Sequence, residues 1–162
     1  YAYMDGEFKF TVADNWNDGE LNNGSFTSTT ENVDLGDGGG GNLNYTGEAS
    51  MCWIEVTPST GELLITPVTW SIIGGFNSWG DDAFLTYDET LHCMTLTYDF
   101  DSDTEFKFRL DGGWDTNWGG VPTNTSIYYG ATTGNGANLT LPAGKYVISF
   151  NDITGVFSIV VL

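Results

Sequence analysis

The sequence predicts an all-β protein built from antiparallel β-sandwiches, and three observations support this fold class. No twelve-residue window carries apolar residues at the three- and four-residue spacing of an amphipathic helix. Short stretches of alternating apolar and polar residues occur instead, and Asp-Gly, Asn-Gly and Gly-Gly pairs typical of tight turns separate them. Aromatic residues make up 15% of the chain, which favours a packed core over disorder.

Two segments show the alternation of a half-buried strand most clearly. In EFKFRL at 105–110 the charged residues alternate with apolar ones, so Lys107 and Arg109 are predicted to face away from the core. The segment 146–150 alternates in the same way, and its predicted inward residues are Tyr146, Ile148 and Phe150. Strands of this kind, joined by tight turns, favour an antiparallel sandwich.

The chain contains an internal repeat. Four features recur at an offset that falls from 98 to 96 to 94 residues, as small loop deletions would cause. The matched features are EFKF at 7–10 and 105–108, Trp16 and Trp114, GGNLN at 40–44 and GANLT at 136–140, and TGELLI at 60–65 and TGVFSI at 154–159. We therefore infer a tandem repeat with a unit of about 95 residues.

The repeat predicts two modules of unequal completeness, at 1–67 and 68–162. Only six residues precede the first EFKF strand, whereas the second is preceded by a long β-rich segment from 69 to 98. The first module therefore lacks the counterpart of those strands, which would leave an open sheet edge and an uncovered core. We expect the protein to extend further upstream, with its targeting signal there.

Charge limits the classes of ligand. The chain has 22 acidic and 4 basic residues, a formal charge of −18. Binding to phosphate needs clustered Lys and Arg, so the composition argues against nucleic acid, other polyanions and an anionic membrane surface as partners. We expect a neutral or cationic ligand.

Residues for catalysis or metal binding are sparse in the sequence. His92 is the single histidine, placed by the alternation in a strand over 91–98, and no Ser or Cys nucleophile has an evident base partner. Cys52 and Cys93 have neither a CxxC pair nor metal-ligand spacing and are predicted to be unpaired strand residues. The DxDxDxE run at 99–105 lacks the Gly and Glu positions of a calcium loop and is predicted to be an acidic hairpin turn. The sequence predicts a non-enzyme without cofactor or metal, although counting alone leaves open the carboxylate pair of a glycosidase.

Three tryptophans are the best candidate binding residues. Trp114 and Trp118 occur in a Gly-rich stretch at 112–120 that is predicted to be a loop, and Trp79 occurs in a similar polar context. An exposed indole can stack on the C–H face of a sugar ring while neighbouring Lys and Arg donate to the hydroxyls. Lys107 and Arg109 are therefore expected beside these indoles. The alternative is that the tryptophans close one end of the sandwich.

Longer stretches resemble a known family. WSIIGGFNSWGDD at 70–82, EFKFRLDGGWDTNWGG at 105–120 and the segment from 135 to 162 resemble the tandem carbohydrate-binding modules of SusE/SusF-type outer-membrane lipoproteins. The resemblance covers 69–162 and, more loosely, 7–65. It implies Ig-like sandwiches and a lipid anchor upstream, at the outer-membrane cell surface. It also implies a non-catalytic role in holding starch-like glucans near a SusC/SusD-type uptake complex.

The resemblance also implies the binding residues. The positions that match the family's aromatic arc and its polar partners are Trp79, Trp114, Lys107 and Asn117, with Arg109 and Trp118 as further candidates; Lys9, Trp16 and Asn17 match in the first repeat. The ligand is expected to be starch-like or another neutral polysaccharide. Two alternatives are a structural sandwich protein that docks on a membrane complex or filament and a glycoside hydrolase accessory domain.

Overall fold

The structure, a computed structural model, describes residues 1–12, 15–120 and 128–162, with the backbone alone at 12 and 15–18. The chain divides into two compact units, Tyr1–Val68 and Thr69–Leu162. Both units are built from β-strands in largely antiparallel sheets. The predicted all-β sandwich class is confirmed.

Unit 1 is organised around one long strand. Its strands are β1 (Ala2–Phe8), β2 (Phe10–Val12), β3 (Asn15–Leu21), β4 (Ser28–Thr29), β5 (Val33–Asp34), β6 (Leu43–Thr57) and β7 (Glu62–Pro67). β6 pairs with β1 on one side and β7 on the other, while β4 joins β7 in parallel. The apolar core between these strands includes Met4, Phe26, Val33, Leu43, Tyr45, Cys52, Leu63 and Ile65.

Unit 2 carries a larger, entirely antiparallel sheet. Its strands are β8 (Trp70–Gly74), β9 (Ala83–Phe84), β10 (Thr86–Asp88), β11 (Cys93–Phe100), β12 (Thr104–Leu110), β13 (Asn117–Gly120), β14 (Tyr129–Gly134), β15 (Leu139–Leu141), β16 (Gly144–Phe150) and β17 (Val156–Val161). The hydrogen-bonded order is β10-β11-β16-β17-β14-β13-β12-β8-β9, and β15 also pairs with β12.

The core of unit 2 lies between two halves of this sheet. Phe108 on β12 stacks on Phe150 of β16, with ring centroids 4.3 Å apart. Trp70 on β8 meets Phe150 edge to face at 4.9 Å. Strands that are distant in the sheet order therefore face each other across an aromatic interior, which is the packing of a sandwich.

The pairing registers of the two units agree with the repeat. Phe8 lies opposite Leu43 in unit 1, as Phe106 lies opposite Leu139 in unit 2. The β6–β7 and β16–β17 pairs also correspond: their matched positions are Ile54 opposite Ile65 and Ile148 opposite Ile159. The offsets of 98, 96 and 94 residues read from the sequence thus recur as equivalent strand pairs.

The two EFKF segments nevertheless differ in structure. In unit 2 all of EFKF lies within β12, and Phe106 and Phe108 are fully buried. In unit 1 the strand breaks at Lys9, between β1 and β2, and both flanking phenylalanines are only half-buried. β8 lies against β12 in unit 2, whereas the described part of unit 1 contains no strand in the corresponding position beside β1.

The turns and cysteines mostly follow the sequence predictions. The acidic residues at 101–103 form the exposed β11–β12 turn, and both cysteines are free and lie in strands. His92 differs from its predicted strand position. Its φ of 51° places it in the turn before β11, a left-handed conformation that a strand residue does not adopt.

Candidate functional site

The candidate site lies on the outer face of β12 and β13. Arg109 lies opposite Asn117 in this strand pair, and Lys107 shares their face because it is two residues away on β12. The intervening pair, Phe108 opposite Trp118, faces inward, where Phe108 is fully buried and Trp118 is half-buried. The pairing of β12 with β13 thus places polar side chains on one face of the sheet and aromatic side chains on the other. The alternation in the sequence predicted this division for β12.

Two indoles meet above this surface. The ring centroids of Trp79 and Trp114 are 5.9 Å apart, and the rings are inclined by 39°. Trp114 is 49% exposed, and Trp79 is half-buried. The pair therefore presents apolar ring surface to solvent in a fixed relative orientation.

The loop from β8 to β9 holds Trp79 by its backbone. Ser78 and Trp79 both adopt left-handed conformations, with φ of 55° and 59°. The Trp79 amide donates to the carbonyl of Gly74 at 2.9 Å, and the Asn77 side chain donates to the Asp81 carbonyl. Two consecutive left-handed non-glycine residues are uncommon and are kept by such contacts.

The loop that carries Trp114 is tied to the start of β8. Asp111 and Gly112 adopt left-handed conformations, with φ of 50° and 66°. The Asp111 carboxylate accepts from the Thr69 amide at 2.7 Å, and the Asp111 amide donates to the Thr69 carbonyl at 2.8 Å. This reciprocal pair fixes the point where the loop leaves β12.

Asn117 is the centre of a polar network beneath Trp114. It is 6% exposed, and its Nδ2 donates to the Trp114 carbonyl and to Oδ1 of Asn135, both at 2.8 Å. Its Oδ1 accepts from Nζ of Lys107 at 2.9 Å. The Asn117 amide group therefore makes its hydrogen bonds within the protein. The Lys107 ammonium has three donor hydrogens and uses one of them in this network.

Arg109 is buried under the same loop. It is 6% exposed, and its Nε and Nη2 donate to the two carboxylate oxygens of Asp82 at 2.7 and 2.6 Å. Its Cζ lies 5.0 Å from the centroid of the Trp114 ring, the distance of a cation–π contact. The Arg109 guanidinium lowers the pKa of the Asp82 carboxyl, and a hydrogen bond from Ser71 acts in the same direction.

No family model, curated protein or solved structure matches the chain. The site must therefore be interpreted from its own residues.

Trp118 lies apart from the other predicted binding residues of unit 2. It pairs with Phe108 on the inner face and meets Trp70 and Phe150 edge to face, at 6.4 and 6.2 Å. Its ring also lies against Gly155, where an added Cβ would be 2.5 Å from it. The Gly-rich segment around it forms strand β13, so the sheet itself separates this indole from Trp114.

The predicted residues of unit 1 are arranged differently. The Lys9 ammonium donates to both Glu20 carboxylate oxygens, at 3.1 and 3.3 Å, and to the Gly40 carbonyl at 3.4 Å. Its three donors therefore all have partners in the protein. The backbone of Trp16 and Asn17 belongs to β3, and their side chains lie outside the described residues.

Asp82 and Asn135 are site residues that the sequence analysis did not select as binding residues. Asp82 pairs with Arg109, which is 27 positions away, so no local sequence pattern indicates that Asp82 belongs to the site. Asn135 adopts a left-handed conformation, with φ of 55°, and precedes a glycine. An Asn-Gly pair indicates a turn in the sequence but does not indicate a binding residue.

The described residues contain neither a group suited to a metal ion nor a membrane-spanning helix. In residues 1–12, 15–120 and 128–162, no group of three or more His, Cys, Asp or Glu side chains could hold a metal ion. Over the same ranges, no helix has the length and apolar character needed to cross a membrane.

Proposed function

We propose that unit 2 is a non-catalytic carbohydrate-binding module that takes a neutral glycan on the face formed by Trp79, Trp114 and Lys107. The observation that carries the proposal is the inclined, partly exposed indole pair above a lysine that makes one hydrogen bond within the part of the chain that the structure describes. Sugar rings offer the complementary surface, because their C–H faces are apolar and their edges carry hydroxyls.

The interactions available at this face are few. Two indole contacts contribute about 0.5–1.5 kcal/mol each, and each of a few hydrogen bonds contributes about 1 kcal/mol. A total of roughly 3–5 kcal/mol corresponds to a Kd on the order of millimolar. We therefore expect weak binding at one site, with avidity on polymers that meet several modules.

The inclination of the rings favours a curved glycan. Neighbouring sugars of an α-1,4-glucan turn relative to each other, so their C–H faces are not coplanar, whereas a β-1,4-glucan forms a flat ribbon. Two indoles inclined by 39° can each meet one sugar of a curved chain. This argument supports a starch-like α-glucan as the preferred ligand.

The cellular setting follows from the family resemblance and is part of the proposal. It is that of a SusE/SusF-type lipoprotein at the outer-membrane cell surface, held by a lipid anchor upstream and supplying glycan to a SusC/SusD-type transporter complex. An excess of acidic residues, 22 against 4 basic, suits a strongly hydrated extracellular surface. Protease treatment of intact cells tests this placement, since a surface protein is degraded and one inside the cell survives.

Affinity electrophoresis in gels containing amylopectin, glycogen or a β-glucan tests the binding function. We expect retardation by the α-glucans and at least a tenfold loss of affinity for Trp114→Ala. Trp53→Ala is the matched control, because Trp53 is also exposed, at 46%, but lies in unit 1. If no neutral glycan retards the protein, the proposal is wrong.

A further inference from the structure

Asp82 contacts two strands of unit 2 at once. Its carboxylate accepts from Arg109 on β12 through two bonds and from the Ser71 hydroxyl on β8. On the Trp114 loop, a Cβ added at Gly112 would lie 3.3 Å from Oδ2 of Asp82. Asp82 itself lies three residues after Trp79 in the β8–β9 loop. One carboxylate therefore joins the loop that carries Trp79 to β12, the strand from which the Trp114 loop continues.

Arg109 occupies the underside of this arrangement. Its guanidinium is buried, makes a two-bond pair with Asp82 and lies against the Trp114 ring. A planar guanidinium held by a bidentate carboxylate has a fixed orientation, which a lysine could not reproduce. A glycan on the exposed surface of Trp114 would be separated from Arg109 by the indole.

From these contacts we infer that Asp82 and Arg109 are positioning residues, which together set the distance and inclination between Trp79 and Trp114 and do not contact the glycan. The pair acts as a clasp between the two loops. This inference rests on the proposed function for its effect on glycan binding, but not for its effect on the indole pair. It assigns to Arg109 a role different from the direct contact that the sequence suggested.

The two indoles provide a spectroscopic readout without any ligand. Aromatic chromophores a few ångströms apart at a fixed inclination couple, and they give an exciton couplet in the far-ultraviolet circular dichroism spectrum. The couplet of Trp79 and Trp114 is identified by its loss in Trp79→Ala and in Trp114→Ala. A general loss of stability in a folded variant would not remove it, whereas release of either loop would.

The test uses the full 162-residue chain and the variants Asp82→Asn and Arg109→Lys. We expect both to lose most of the couplet and to bind maltoheptaose at least fivefold more weakly than the wild type. Glu20→Gln, which removes the exposed ion pair with Lys9 in unit 1, is the control and leaves both readouts unchanged. If a single variant does not fold, the double variant Asp82→Asn/Arg109→Gln removes both charges together and avoids an unpaired buried charge.

Each outcome decides the inference. Loss of the couplet together with weaker maltoheptaose binding supports the inference. Loss of the couplet also supports it if the wild type binds no glycan, and in that case only the proposed function is wrong. A retained couplet overturns it, and if binding is then lost, the pair contacts the glycan directly. A spectrum in which Trp79→Ala removes no couplet also overturns it, because the indoles are then not coupled.

Discussion

Lys107 on β12 donates from its Nζ to Oδ1 of Asn117 on β13 over 2.9 Å. This bond connects a half-buried cation at the candidate binding surface to a buried amide that supports the Trp114 loop. Two neighbouring residues of the predicted site thus have different roles. One can donate to a ligand, and the other holds the backbone in place.

Replacement of Asn117 by Ala should lower stability as well as binding. The substitution leaves the Trp114 carbonyl and the Asn135 amide oxygen without this donor, and loss of hydrogen bonds at a buried site costs about 1–3 kcal/mol. Urea unfolding followed by fluorescence measures the change. The control is Asn42→Ala, which removes an exposed amide that donates to Glu7 at 2.9 Å, with an expected change within about 0.5 kcal/mol. Equal effects of the two variants would contradict this role.

Replacement of Lys107 by Met should weaken glycan binding and lower stability less than Asn117→Ala does. Met keeps most of the apolar stem but removes the ammonium, so we expect glycan affinity to fall about three- to tenfold, the effect of one lost hydrogen bond of about 1 kcal/mol. The free energy of unfolding should fall by about 1 kcal/mol, because Oδ1 of the buried Asn117 loses this one donor, whereas Asn117→Ala removes the donors of two acceptors. Calorimetric titration with maltoheptaose, beside urea unfolding, checks both statements. Unchanged affinity would remove Lys107 from the site.

The ion pair of Asp82 predicts a specific acid sensitivity. Arg109 lowers the pKa of the Asp82 carboxyl in the folded protein, so its stabilising contribution is fully present above the ordinary Asp pKa. That contribution is lost as the pH falls through the lowered value, which places the effect below about pH 4. Measured from neutral to acidic pH, the unfolding free energy of Asp82→Asn should decline less in this range than that of the wild type. Parallel curves would show that the pair carries no such linkage.

Alternation within strands could be read from the sequence, and it explains why the all-β fold class was predicted correctly. Phe106 and Phe108 lie in the core with Lys107 between them because a strand has a period of two. The strand register places Asn117 opposite Arg109, and its side chain accepts from Lys107, which lies two residues before Arg109 on β12.

Long-range pairing explains what the sequence could not show. Asp82 and Arg109 are 27 residues apart, and no residue near either one indicates the partner. Trp118 was predicted in a loop because glycines surround it, but pairing of β13 with β12 and β14 overrides that local preference. Local composition therefore gave the wrong environment for Trp118. The two tryptophans of this segment lie on opposite faces of the sheet, which only strand pairing reveals.

Trp118 and Trp114 should therefore respond differently to substitution. Trp118→Ala removes a half-buried indole packed against Trp70 and Phe150, so it should cost about 3 kcal/mol, the lower end of the range for large-to-small changes in a core. Trp114→Ala removes an exposed ring and should cost much less stability. Glycan affinity per folded molecule should follow the reverse order, unchanged for Trp118→Ala and lost for Trp114→Ala. Titrations at a temperature where both variants are folded make the comparison, and a large loss of affinity from Trp118→Ala alone would contradict it.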